Sequence, residues 1–227
     1  MFDHQLRKVQ EDGKLDEIVT KLSSEDRFNA TVIFDKVDTA YFIGGYTDQN
    51  CFEATNSCYK FSLSTKEAEI LQPLTYKRAQ VGALFLKEKN SILVAGGAIS
   101  DEVCSKTCEI YNISENNWQM MPSLNEQKAN VSLLQLGEGK KIYCFGGHQW
   151  DKFFDTIETI SNESTDQEWK ILAIKLPTPS HSIGAIELSN NHILIFGGRT
   201  QDGLSSYATI LTIDQDSSHY FSATGNL

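Results

Sequence analysis

The side chains best equipped for chemistry recur along this chain at intervals near fifty residues. Arg27, Arg78 and Lys128 stand 51 and 50 residues apart, and Ser180 with His181 occupies the next interval. A guanidinium recognises a carboxylate through two parallel hydrogen bonds, whereas an ammonium acts as a point charge. Acids recur as well: Asp48, Asp101, Asp151 and Asp202. Such residues could form a carboxylate ring for a cation. Asp more commonly shapes its own turn through side-chain-to-backbone hydrogen bonds, and that reading is preferred. One short stretch holds His148, Trp150, Phe153 and Phe154. Exposed aromatics are frequent anchors of protein interfaces, although the two Phe would serve equally well folded inward. Cys104 and Cys108 are four apart, but no CxxC or His–Cys group completes a metal ligand set, so no metal and no cofactor are expected. No GxSxG, Walker loop, HExxH or dinucleotide fingerprint is present, and no catalytic residues are assigned.

Composition narrows the partners. The 227 residues carry a formal charge of −10, which disfavours nucleic acid, whose phosphates call for clustered Lys and Arg. No apolar run approaches the ~20 residues of a membrane helix, and the first residues have no apolar signal core, so no membrane partner is expected. Five cysteines, an odd number, suit reduced thiols and a cytoplasmic location.

The elements that must position these residues are also periodic. Gly pairs fall at Gly44–Gly45, Gly96–Gly97, Gly146–Gly147 and Gly197–Gly198, spaced by 52, 50 and 51 residues. Each closes an apolar run: AYFI, SILVA, KIYCF or HILIF. A second apolar run precedes it across a polar turn, which reads as a β-hairpin. A polar loop follows, then a third run (SCYKFSL, TCEIYNI, TIETIS, YATILTI) and a weaker fourth segment with Trp118, Trp169 or Tyr220. Four strands per fifty-residue unit is the pattern of a propeller blade. With its Gly pair, Tyr111 and Trp118, the second unit resembles a kelch repeat. The other three match it less fully: the first keeps Tyr59, the third Trp169, and the fourth offers Tyr220. The expected fold is therefore all-β, a kelch-type β-propeller of four four-stranded blades, closed, open or incomplete. It would span residues 15–227 behind an N-terminal tail of residues 1–14.

The resemblance implies that inner strands converge on an axis, where Thr31, Gly82, Ser132 and Gly184 are suitably small. It implies second strands covered on both faces. It also implies a non-catalytic, protein-binding scaffold or substrate adaptor that engages its partner through loops at one end. In kelch receptors, arginines before the inner strands line the cavity mouth and grip acidic peptides. Arg27 and Arg78 carry that role over directly, Lys128 conservatively, and Ser180 and His181 depart from it. Tyr46, His148, Trp150 and Arg199, on the loops after the Gly pairs, complete the expected partner-binding set. A kelch-like mutarotase, using an acid, a base and an Arg, is the catalytic alternative; a structural or cytoskeletal arc is another. Four blades are fewer than kelch propellers usually have, so self-association to complete the ring is expected. Residues 14–22, KLDEIVTKL, look like the outer strand of a preceding blade.

Overall fold

The computed structural model describes residues 28–48, 50, 53–100, 102–136, 141–162, 168–189 and 192–213, together with the strands Gln5–Val9, Leu15–Lys21 and Gly225–Asn226. Four antiparallel four-stranded sheets follow one another along the chain. The first blade comprises Thr31–Phe34, Thr39–Ile43, Cys58–Ser62 and Ala68–Leu71. The second comprises Gly82–Leu86, Ser91–Ala95, Cys108–Asn112 and Asn117–Met121. The third uses Ser132–Leu136, Lys141–Phe145, Thr156–Ser161 and Lys170–Lys175. The fourth uses Gly184–Ser189, His192–Phe196, Tyr207–Thr212 and Gly225–Asn226.

Three details differ from the sequence reading. Leu15–Lys21 pairs with Gln5–Val9 in a separate two-stranded sheet, so part of the expected tail is a strand. Asp12–Gly13, between the two strands in sequence, is a hairpin signal. The outer strand of the fourth blade is Gly225–Asn226, paired with Tyr207–Ala208, and Tyr220 lies outside the described residues. Phe61, not Tyr59, holds the register position of Tyr111; Tyr59 corresponds to Glu109.

Inner strands of consecutive blades lie side by side, first to second, second to third and third to fourth. Thr31, Gly82, Ser132 and Gly184 occupy the same register position, each opposite the last residue of its second strand. A Cβ added to Gly82 would lie 2.4 Å from Val131 Cγ2 of the next blade, which accounts for the small residue there. Just ahead of these positions Asn29, Gln80, Asn130 and Ser182 all have φ near +53. Their backbones form a ladder: Gln80 N donates to Asn29 O (3.1 Å), Asn130 N to Gln80 O (2.8 Å) and Ser182 N to Asn130 O (2.9 Å). Asn tolerates this left-handed conformation best, and the ladder offsets its cost at Gln80 and Ser182.

Apolar clusters fill each junction. Ile33, Tyr41 and Ile43 of the first blade meet Val81, Ile92 and Val94 of the second. Leu86 and Leu93 meet Leu133, Ile142 and Cys144. Phe145 and Ile157 meet Ile183, Ile193 and Leu211. Trp118 Nε1 donates to Gln72 O (2.9 Å) and Trp169 Nε1 to Pro122 O (3.0 Å), so each ring ties its blade to the connector behind it. In the second blade every residue of Ser91–Ala95 is buried, and in the third all but Lys141 of Lys141–Phe145. In the fourth blade, His192–Phe196 alternates between buried and half-buried, and Thr39–Ile43 of the first blade is incompletely buried as well. Among the described residues, blade-to-blade packing of the inner strands runs first to second, second to third and third to fourth, with no comparable contact joining the fourth to the first.

The Gly pairs are where one blade receives the next. Gly45 N donates to Arg78 O (3.0 Å), Gly97 N to Lys128 O (3.0 Å) and Gly147 N to Ser180 O (2.9 Å). A Cβ on Gly44, Gly96 or Gly146 would sit 2.1, 2.3 or 2.2 Å from those same carbonyls. At Gly197 nothing lies within 4 Å. Gly96 and Gly197 share φ +64, so the strain of Ala in that conformation, about 1–2 kcal/mol, is common to both. We therefore expect Gly96→Ala to cost roughly 2 kcal/mol more than Gly197→Ala, from collision with the carbonyl. Urea titration in dilute solution checks this; equal losses would mean the fourth blade is covered like the others.

Candidate functional site

Arg78 and Lys128 do not line a cavity mouth. Both side chains are fully buried and turn inward along their own blades. Arg78 Nη2 lies 2.7 Å from Glu109 Oε1, and Glu109 is fully buried too. Arg78 Nη1 donates to Gly96 O (2.9 Å) and Thr107 O (2.8 Å), and Nη2 to Thr107 Oγ1 (2.7 Å). Glu109 Oε2 accepts from Thr75 N (2.8 Å), fixing the connector that carries Arg78. Lys128 repeats the arrangement. Its Nζ lies 2.7 Å from Glu158 Oε1, and Glu158 Oε2 accepts from Asn125 N (2.7 Å) and Nδ2 (2.8 Å). The physical reason is burial: a charge taken out of water needs an opposite charge and hydrogen bonds, and the third strand offers both through Glu109 with Thr107 ahead of it and through Glu158 with Thr156. In the fourth blade Ser180 and Thr209 stand in the same places, both buried and uncharged. Arg27 lies outside the described residues. Tyr46 is 1% exposed, packed among Ala54, Ala79 and Ala98, and offers no surface to a partner.

The remaining expected residues meet at one place. The loop after the third Gly pair forms a small hairpin in which His148–Gln149 pairs with Lys152–Phe153. Trp150 is at its tip with φ +54 and is 56% exposed. Next to the hairpin, His181 and Arg199 exchange backbone hydrogen bonds of 3.1 and 2.9 Å. The His148 and His181 rings lie 4.4 Å apart, and Phe153 meets His181 edge-on at 4.8 Å. Asn130 Nδ2 is 3.1 Å from His148 Nε2. Phe154 is the aromatic that folds inward, 3% exposed. Arg199 is exposed. Burial first, then the neighbouring His148 and Arg199, push the His181 imidazole down to about 4. Burial lowers His148 in the same direction. The two rings, tilted 43° to each other, therefore meet as neutral groups at pH 7 where the hairpin adjoins the fourth blade.

Of the recurrent acids, Asp48 shapes its own turn, its carboxylate accepting from Asn50 N and Glu53 N, both at 2.9 Å; at Asp202 it is the backbone amide that donates, to Thr200 Oγ1. Asp101 lies outside the described residues. Among the described residues no three His, Cys, Asp or Glu side chains converge as a metal site, and no helix is long and apolar enough to cross a membrane. Cys104, Cys108 and Cys144 are free thiols and, like Cys58, buried; burial pushes Cys108 and Cys144 up to about 12.

The KLHDC2/KLHL20/DRC7 Kelch-repeats domain matches residues 29–226, across all four blades. The chain belongs to the kelch-repeat family. It is also similar to Kelch-like protein 41a of Danio rerio, 26% identical over 110 residues. That match takes in 48% of this chain and 18% of the relative. Within this kelch domain, Glu109 and Glu158 are the residues the sequence reading passed over. Their signal was a single Glu inside an apolar third strand, in two of the three repeats that carry a basic residue before the inner strand.

Two outcomes follow from these geometries. Arg78→Ala strands a buried carboxylate and should cost about 3–5 kcal/mol of stability, whereas exposed Arg199→Ala should stay within about 0.5 kcal/mol; chemical denaturation distinguishes them. The depressed His181 gives stability a pH dependence. Its folded value of about 4 lies below the ordinary 6.5, so the unfolded chain binds the extra proton between those limits. The His181 contribution is intact above pH 6.5 and is lost as pH falls toward 4. His181→Asn should make that fall shallower in melting scans; an unchanged slope would contradict the half-buried, neutral imidazole.

Proposed function

We propose that this kelch domain is a non-catalytic recognition module of the substrate-adaptor type. It captures a protein segment at the loop end of the third and fourth blades, with Trp150 as anchor and Arg199 as carboxylate contact. The observation that carries this reading is Trp150. A large apolar ring is held in solvent, on a left-handed backbone, at the tip of a hairpin. Both features cost free energy, and backbone strain of this kind concentrates at binding sites. Trp and Arg are also the residues most enriched among interface anchors. With Arg78 and Lys128 committed to the interior, preference for an acidic segment rests on Arg199. His148 and His181 meet where the hairpin adjoins the fourth blade and keep the hairpin in place. The free thiols suit a reducing, cytoplasmic setting.

The test is affinity capture with this domain as bait, followed by titration of the recovered partner. Trp150→Ala should weaken binding by about 30-fold or more, equivalent to the ~2 kcal/mol of an anchor residue. Arg199→Ala should weaken it about tenfold and reduce its salt sensitivity, as for a charge-assisted contact. Unchanged affinity in both folded variants would overturn the assignment.

A further inference from the structure

Several cations of this chain, whose formal charge is −10, are matched to acids: Lys60 to Glu69, Lys77 to Glu53, Arg78 to Glu109, Lys128 to Glu158 and Lys175 to Asp155. Arg199 is exposed and forms no ion pair among the described residues. Its neighbours are bases. His181 and Arg199 exchange both backbone hydrogen bonds, at 3.1 and 2.9 Å. In an antiparallel pair of this kind the two side chains leave on the same face, with their backbones about 5.5 Å apart. The His148 ring lies 4.4 Å from that of His181. The Arg199 charge reaches the His181 ring, because it disfavours a proton there.

The groups around this cluster supply no counter-charge. On the third-blade hairpin Asp151 and Lys152 are exposed, and Lys152 Nζ sits 4.4 Å over the Phe154 ring. On the fourth-blade hairpin Asp202 is exposed. From the second blade, the buried Cys104 thiol donates to His148 O (3.6 Å). The partners of the rings are neutral: Asn130 Nδ2 is 3.1 Å from His148 Nε2, and Ser182 Oγ is 3.0 Å from His181 Nδ1. Among the described residues no carboxylate pairs with Arg199, and none favours a proton on either imidazole. Gln201 Nε2 donates to Asp151 O (3.4 Å), so the hairpins carrying Trp150 and Arg199 are tied together.

We propose that Arg199, His181 and His148 form one anion site, in which the guanidinium holds a carboxylate of the partner and binding draws a proton onto the imidazole pair. This rests on the recognition role assigned above and makes capture proton-linked. Without a ligand, a proton on either ring faces Arg199 and the other ring with nothing to offset it. A carboxylate on Arg199 cancels that repulsion and adds an attraction, so the rings become more basic in the complex. A ligand that raises the proton affinity of a site binds more tightly where protons are available. With the rings 4.4 Å apart, a second proton is disfavoured, and one is taken up per carboxylate. The sign is opposite to that of stability: as pH falls below 6.5 the fold loses the contribution of neutral His181, while carboxylate capture gains.

The full chain is titrated by imidazole NMR with trifluoroacetate as the probe, a carboxylate that stays ionised throughout the range. Trifluoroacetate replaces chloride at constant ionic strength, which removes general screening. The titration midpoint of His181 or His148 should rise by about half a pH unit, equivalent to a roughly threefold preference of the anion for the protonated site. Arg199→Gln, at an exposed position, should raise the His181 midpoint in chloride, because a repelling charge is gone, and should abolish the response to trifluoroacetate. Equal midpoints in the two salts overturn the proposal, as does a response that survives Arg199→Gln. The probe is read without the partner, so failure here is separable from failure of the Trp150 anchor, which the partner titration with Trp150→Ala decides.

Discussion

Everything in this domain depends on how a connector sits on a Gly pair. One carbonyl occupies the space a Cβ would fill, and the amide of the second Gly donates to it. That contact sets the distance and angle between adjacent blades, and the apolar clusters complete an arrangement it has already fixed. The buried Arg78–Glu109 and Lys128–Glu158 pairs hold the connector from the other side. Each Glu accepts from a backbone amide early in the connector, and each base fills the strand end below it. A buried ion pair adds little net stability compared with apolar packing, but losing one partner is costly. Its value here is geometric: it fixes the connector in one position.

Rigid junctions determine where binding can occur. Strand ends cannot move without breaking a connector bond, so variable chemistry is left to the loops. The third Gly-pair loop shows the division. His148 begins on the scaffold, hydrogen-bonded to Ala129, and two residues later Trp150 is in solvent. The fourth blade departs from the rule in the opposite sense. Ser180 and Thr209 replace the ion pair, leaving its connector held by main-chain bonds and apolar contacts alone.

Much of this architecture was legible in the sequence. Four Gly pairs at near-constant spacing located the second strands, and the small residues at Thr31, Gly82, Ser132 and Gly184 marked the inner ones. The orientation of Arg78 and Lys128 was not legible. Periodicity locates a backbone position, but not which way a long side chain turns from it. Burial became inferable only with Glu109 and Glu158 in register alongside. Tyr46 misled for the same reason: a loop residue immediately after a Gly pair is still under the next connector. The meeting of His148 with His181 was invisible because it joins two blades across 33 residues of sequence.

Amide hydrogen exchange in dilute solution tests the connector-on-Gly account most directly. Gly45, Gly97 and Gly147 each donate to a buried connector carbonyl, so their amides should exchange only when the domain unfolds. Gly198 occupies the same place in its repeat without such an acceptor among the described residues, and its amide should exchange faster by orders of magnitude. Comparable protection of Gly198 would contradict the account, as would rapid exchange at Gly97 or Gly147.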